Sequence, residues 1–277
     1  MFIRNDPYPI SPIENHRRRE KGVLVYPVYS RRSGGLSVGI NLFPGQKCCP
    51  FECPYCEVFP FAADVVFSCK QMEEDLRAAV AAAREQNVPV KDICFSGNGE
   101  PSLSPDFSAA LKLADRIRRE MVPAAELVLI TNGAGLLQPG IFSLLRDAAG
   151  SFALNIWLKL DAATPQWYEK INRTAIPFEK LIAAIKEFAE SAPVTIQTML
   201  CTVDSKGPTD EEAQAWETLM LELAAAGNIR KVQMYGKARP APEDPKTTAL
   251  PIEYLEKRAE SLRQALVAAN IPVEVYP

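Results

Sequence analysis

Histidine is almost absent from this chain: of 277 residues, only His16 is one. The side chain that most often serves as general base or metal ligand near neutral pH is thereby nearly excluded. His16 itself stands in an N-terminal arm rich in proline and arginine. Also missing is any apolar run approaching the length of a membrane-spanning helix. The opening Met1-Phe2-Ile3-Arg4-Asn5-Asp6 lacks the apolar region of a signal peptide. A cytoplasmic protein without membrane contact is therefore expected. An excess of one charge is missing too. The formal net charge is −3, so nothing draws the whole chain toward nucleic acid. The local exception is Arg17, Arg18, Arg19 and Lys21, with Arg31 and Arg32 beyond, which reads either as a solvated arm or as an RNA patch. No linker divides the chain, and its length suffices for a core without covalent staples.

What the chain does have is cysteine in one place. There are seven: Cys48, Cys49, Cys53, Cys56, Cys69, Cys94 and Cys201. An odd count, with four inside nine residues, does not suit a disulfide framework. It suits a reducing compartment and a metal site. Cys49, Cys53 and Cys56 stand at the spacing C-x3-C-x2-C, with Tyr55 just before the third. The apolar run Leu36 to Phe43 leads in and reads as a buried strand. The cysteines then fall in a loop at its carboxyl end, where parallel α/β sheets bind ligands. Three thiolates can hold three irons of a cubane [4Fe–4S] cluster, which more often has four protein cysteines. One iron is then left open. Cys94 and Cys201 lie in apolar strands and read as small core residues. Cys69 stands alone, and Cys48 is out of register with the motif. A rival of another class is a structural zinc module with Cys48 or His16 as fourth ligand. Zinc prefers thiol groups brought together from two places, and only one group exists here.

Beyond the cysteine loop, strands and helices alternate. Strands are expected over Val90–Ser96, Glu126–Thr131, Ala153–Leu160, Val194–Val203, Ile229–Tyr235 and, last, Pro272–Tyr276. Helices are expected over Gln71–Gln86, from an N-cap at Ser104 with Pro105 behind it to Met121, over Ile141–Ala149, from Thr164-Pro165, and over Pro177–Ser191, Thr209–Ala226 and Ile252–Ala269. Asp210, Glu211 and Glu212 suit the first turn of their helix by the macrodipole. Residues 22–29 fit an edge strand or a strap, ahead of a turn at Ser33-Gly34-Gly35. Strands separated by helices imply a parallel sheet with right-handed crossovers. The fold class is then α/β, six βα units curling into a (βα)6 partial TIM barrel. Residues 1–35 form an N-terminal extension over its mouth, residues 36–277 one domain, and the C-terminal helix and strand a cover.

The C-x3-C-x-aromatic-C loop after a first strand resembles the radical S-adenosylmethionine (radical SAM) superfamily. That resemblance implies a partial barrel with a [4Fe–4S] cluster on Cys49, Cys53 and Cys56 at the top of the first strand. S-adenosylmethionine chelates the open iron. An electron from a flavodoxin- or ferredoxin-like donor splits its sulfonium, and the resulting 5′-deoxyadenosyl radical takes hydrogen from a substrate. The protein supplies binding and orientation while the cofactor carries the chemistry. Two further stretches narrow the resemblance. Residues 29–42 look like the lead-in of small bacterial members. Lys159-Leu160-Asp161-Ala162 with Tyr168–Arg173 is similar to the wyosine-forming tRNA enzymes and their bacterial relatives, whose second-cluster cysteines are missing here. A small metabolite or nucleoside-like substrate at the barrel mouth is the first expectation. Modification of tRNA or a peptide is the alternative.

Strand ends supply the remaining candidates. Gly97-Asn98-Gly99-Glu100 resembles the superfamily's Gly-Gly-Glu motif for the amino group of the methionine moiety, with Asn98 where glycine is usual. Gly99 and Glu100 are thus cofactor candidates, and a plain turn is the bland alternative. Asn132 either reaches the cofactor or the substrate, or is a turn asparagine. Lys159 and Asp161 flank Leu160 and point to one face. Charges inside an apolar strand need a partner or a function. They are candidates for catalysis, and Asp161 also for the ribose; an internal ion pair is the alternative. The resemblance implies polar contacts to the ribose from the strand of Gln197, and adenine met by the backbone around Tyr235 on one side and by Tyr55 on the other, which makes these three cofactor candidates. Lys237 and Arg239 are open to an anionic substrate or to solvent.

Overall fold

The computed structural model describes residues 22–58, 60–239, 241 and 244–277. His16, Arg17, Arg18, Arg19 and Lys21 lie outside them. The chain divides into two compact units: residues up to 49 with 60–131 and 147–155, and residues 50–59, 132–146 and 156–277.

In the first unit, β1 (Val25–Ser30) runs antiparallel to β2 (Gly35–Ile40), from Val25 opposite Ile40 to Ser30 opposite Gly35. Residues 22–29 thus contribute the first strand of a hairpin whose turn carries Gly34 at φ +68°. β2 continues in parallel with β3 (Val90–Phe95), and β3 with β4 (Glu126–Thr131). Helix α1 (Cys69–Glu85) joins β2 to β3 and α2 (Phe107–Met121) joins β3 to β4. The buried residues of α1, Met72, Leu76, Ala79, Val80 and Ala83, fall at the spacing of one helical face. Ser68 accepts the Gln71 N–H as N-cap, so α1 starts two residues before the expected Gln71. Helix α2 starts later than expected. The Ser104 hydroxyl accepts the Asp106 N–H at 3.3 Å, and its carbonyl accepts that of Phe107 at 3.1 Å. Ser104 closes a turn instead of capping a helix. Phe107 then meets Phe95 edge to face, centroids 5.6 Å apart.

In the second unit, β5 (Leu154–Lys159, from Ile156 on), β6 (Val194–Leu200), β7 (Ile229–Gly236) and β8 (Val273–Tyr276) lie parallel, each beside the next. Helix α3 (Pro139–Ser151), in this unit as far as Arg146, precedes β5, α4 (Pro165–Asn172) and α5 (Phe178–Ser191) follow it, α6 (Asp210–Ala225) joins β6 to β7, and α7 (Ile252–Ala265) joins β7 to β8. Thr164 caps α4 as expected, accepting the Trp167 N–H. Glu212 does more than suit a helix dipole. It is 4% exposed and accepts the N–H groups of Ala163 (2.7 Å) and Thr164 (2.9 Å) and the Thr164 hydroxyl (2.5 Å). The expected last strand residues 201–203 leave the ladder, and Cys201 makes only an isolated bridge to Ala249. Helix α7 ends at Ala265 and gives way to a 3-10 turn, Val267–Ala269. In both units strand order follows chain order. No helix among the described residues is long and apolar enough to cross a membrane.

Candidate functional site

The approach to the cysteine loop is held by main chain. Cys48 donates its N–H to the Asn98 carbonyl and accepts the Glu100 N–H, both at 2.9 Å. This short parallel bridge joins it to the turn after β3. Gly99 sits under it so closely that a Cβ there would lie 1.9 Å from the Cys48 carbonyl oxygen. Protein backbone therefore already demands this glycine. The Asn98 side chain is engaged separately, donating to the Phe43 carbonyl at 3.2 Å. Asn41, just past β2, accepts the N–H groups of Phe43 and Asn98, both at 3.1 Å, and donates to the Val23 carbonyl at 3.0 Å. Glu100 is 1% exposed and accepts from Ser102 N–H (3.2 Å), Ser102 hydroxyl (2.6 Å) and Thr131 hydroxyl (2.7 Å).

The body of the loop is held mostly by side chains, within the second unit. Glu52 donates its N–H to the carbonyls of Asn172 (3.2 Å) and Arg173 (3.1 Å), and Phe51 bridges to Thr174. Those carbonyls are turned out because α4 ends with Arg173 at φ +45°. The Phe51 ring meets Tyr168 edge to face at 6.3 Å. The Asn172 side-chain amide reaches the Cys53 sulfur at 3.9 Å. The Cys56 sulfur accepts the Val58 N–H at 3.4 Å. Glu57 pairs with Arg239 at 3.2 Å. Burial, reinforced by Asp161 and opposed by Lys159, pushes the Cys53 thiol up to about 11. None of the seven cysteines forms a disulfide. No three His, Cys, Asp or Glu side chains among the described residues converge on a site for a single ion. Ligands to separate irons of a cluster need not converge in that way.

Lys159 and Asp161 do point to one face, and they form an ion pair at 3.4 Å. The Asp161 carboxylate is saturated: one oxygen accepts the Met199 N–H at 2.8 Å, and the other accepts the Tyr55 hydroxyl and the Asn172 amide (3.5 Å). Lys159 donates to the Tyr235 hydroxyl, and its ammonium lies 4.7 Å from the Tyr55 ring centroid and 5.1 Å from that of Tyr235. Burial works against its charge, but Asp161 and Tyr235 hold it above the usual lysine range. Burial and the Asp161 carboxylate together raise the Tyr55 phenol well above its ordinary value.

The other expected residues are scattered in role. Asn132 is buried and accepts the Ala134 N–H at 3.0 Å, a turn bond. Gln197 is wholly buried and donates to Gln233 at 2.7 Å, which donates to Glu274 at 3.1 Å, a chain across β6, β7 and β8. Arg239 is taken by Glu57, while burial lowers the half-buried Lys237 ammonium. Sequence reasoning missed Asn41, Asn172 and Glu212 as anchors. All three are buried polar side chains at element ends, and that combination requires partners.

A family model described as the Radical SAM superfamily matches residues 43–219. A UPF0026 protein of Helicobacter pylori strain J99 is 27% identical over 171 residues, 60% of this chain and 50% of that protein. The chain thus spans about half the length of this relative. A UPF0026 protein of Synechocystis sp. strain PCC 6803 is 28% identical over 223 residues, 78% of this chain and 76% of that protein. Among solved structures, a radical SAM methyltransferase from Sphaerobacter thermophilus aligns with TM-score 0.63 and 18% identity over 91% of this chain and 69% of that one. At that identity the likeness shows the fold, an α/β partial TIM barrel, which the strand–helix alternation predicts. The family match spans the cysteine loop, Gly97–Glu100, Asn132, Lys159, Asp161 and Gln197 alike, and the chain belongs to the radical SAM superfamily.

Proposed function

We propose that this chain is a radical SAM enzyme that holds a [4Fe–4S] cluster on Cys49, Cys53 and Cys56 and cleaves S-adenosylmethionine reductively. The observation that carries the reading is that two of the three motif sulfurs, Cys53 and Cys56, each have an amide N–H within reach, at 3.9 and 3.4 Å, beside the carbonyls to which their thiols donate, at 3.8 and 3.4 Å. Thiols are poor acceptors, whereas anionic sulfur bound to iron is commonly hydrogen-bonded. The donor set therefore fits a cluster. When bound, that cluster supplies the electron that splits the sulfonium and yields a 5′-deoxyadenosyl radical, which takes hydrogen from the substrate.

The chain's own residues bind and orient. Gly99 through its main chain and Glu100 through its carboxylate meet the methionine moiety; the bonds from Ser102 and Thr131 all fall on one carboxylate oxygen, Oε1, whereas the Glu100 N–H is taken by Cys48. Tyr55, Asn132, Asp161, Gln197 and Tyr235 frame the nucleoside. Lys159 and Asp161, a desolvated pair, fix the Tyr55 and Tyr235 rings through the bonds described above and serve the reacting groups. A flavodoxin- or ferredoxin-like protein delivers the electron. The substrate is a small metabolite or nucleoside-like group, in a reducing, cytoplasmic setting that suits seven cysteines outside any disulfide.

Anaerobic reconstitution with iron and sulfide tests this. The protein is expected to turn brown, bind iron and sulfide in equal amounts, and release 5′-deoxyadenosine from S-adenosylmethionine with dithionite. Cys53→Ala is expected to lose all three properties and Cys69→Ala to keep them. A colourless, zinc-loaded protein, or 5′-deoxyadenosine from Cys53→Ala, would overturn the reading.

A further inference from the structure

We propose that Asn172 tunes the reduction potential of the cluster by donating a hydrogen bond to the Cys53 sulfur; the inference rests on the cluster reading above. Asn172 ends α4 and is only 5% exposed. Its amide nitrogen lies 3.5 Å from Asp161 and 3.9 Å from the Cys53 sulfur, a long contact of the kind sulfur makes. The orientation of an amide must be assigned from its neighbours, and here they decide it. Asp161, paired with the Lys159 ammonium at 3.4 Å and taking the Tyr55 hydroxyl on the same oxygen, turns an acceptor oxygen toward the amide. The end of the amide facing it must be NH2, and that group has two hydrogens. One goes to the carboxylate and the second is left for the sulfur. Asp161 cannot swing away, because the Met199 N–H and the Tyr55 hydroxyl hold it.

The consequence for redox chemistry follows from charge. Reduction brings one electron from the low-potential donor and adds one negative charge to the cluster and its thiolates. A hydrogen-bond donor at a ligand sulfur stabilises the more negative state and so raises the potential. The Asn172 main chain is a separate matter: its carbonyl accepts the Glu52 N–H and lies 3.8 Å from the Cys53 sulfur, and both contacts survive a side-chain change, so the variants below report on the amide alone.

The test is a redox titration of anaerobically reconstituted full-length protein, followed by electron paramagnetic resonance, with iron content measured alongside. Asn172→Leu keeps the bulk and removes the donor. The reduction equilibrium constant is expected to fall about tenfold, a potential about 59 mV lower for one electron. Asn172→Asp, nearly isosteric and anionic, is expected to fall at least as far. Unchanged potentials at full iron content would overturn the proposal. So would failure of both variants to take up iron that the parent chain binds, since Asn172 would then be a structural support only. A parent chain that takes up no iron and sulfide sinks the cluster reading itself, which separates the two failures.

Discussion

The two halves of the cysteine loop are held by different means. The approach, Asn41 to Cys48, is gripped by main-chain bonds from Cys48 to Asn98 and Glu100, with Gly99 pressed beneath, and by two uncharged amides, Asn41 and Asn98. The body, Pro50 to Val58, is gripped chiefly by side chains: Tyr55 on Asp161, Asn172 on Cys53, Arg239 on Glu57. A main-chain grip tolerates almost any side chain except where backbones nearly touch. A side-chain grip depends on identity at every contact, and on charge. The first half therefore asks for one glycine and two uncharged amides, and the second for a set of residues, several of them charged, brought from just past β5, from α4 and from the loop after β7.

That contrast can be broken from either side. The largest effect is expected at Asp161→Ala, which strands the buried Lys159 ammonium and frees Tyr55, Asn172 and Met199 at once. Removing one partner of a buried pair costs about 3–5 kcal/mol, and urea unfolding should register it. Lys159→Met together with Asp161→Leu should cost less than Asp161→Ala alone, since no charge is left unpaired. Next comes Gly99→Ala. Its Cβ cannot fit 1.9 Å from a carbonyl oxygen, so the Cys48 bridge must open, at about 1–3 kcal/mol and with lowered iron uptake. Gly140→Ala, where a Cβ meets nothing within 4 Å, is the matching control. The smallest effect is expected at Arg239→Ala. Its pair with Glu57 is about a quarter exposed on each side, which limits the loss to about 1 kcal/mol, shrinking further in high salt. A large loss at Arg239 with none at Gly99 would invert the comparison.

Much of this was legible in the chain. The alternation of apolar runs with helical spacing predicts parallel strands and their order, and Glu126–Thr131 agrees with β4 at both ends. Thr164-Pro165 marks a helix start correctly, because the cap and the fixed φ of proline are local properties. Ser104-Pro105 carries the same signal and misleads, because the hydroxyl bonds Asp106 within a turn. The partner choice, not the residue type, separates the two.

The amino-acid sequence by itself determined the family, through cysteine spacing, and the order of strands and helices, through hydrophobic period. Both are written along the chain at short range. Only the tertiary structure decided what the polar residues do: that Gly99 yields to a carbonyl of Cys48, that Lys159 and Asp161 pair with each other, and that Asn172, 119 residues from Cys53, offers it an N–H. A buried polar group advertises that it needs a partner, but which partner is a matter of distance in space, and the chain carries no local mark of that.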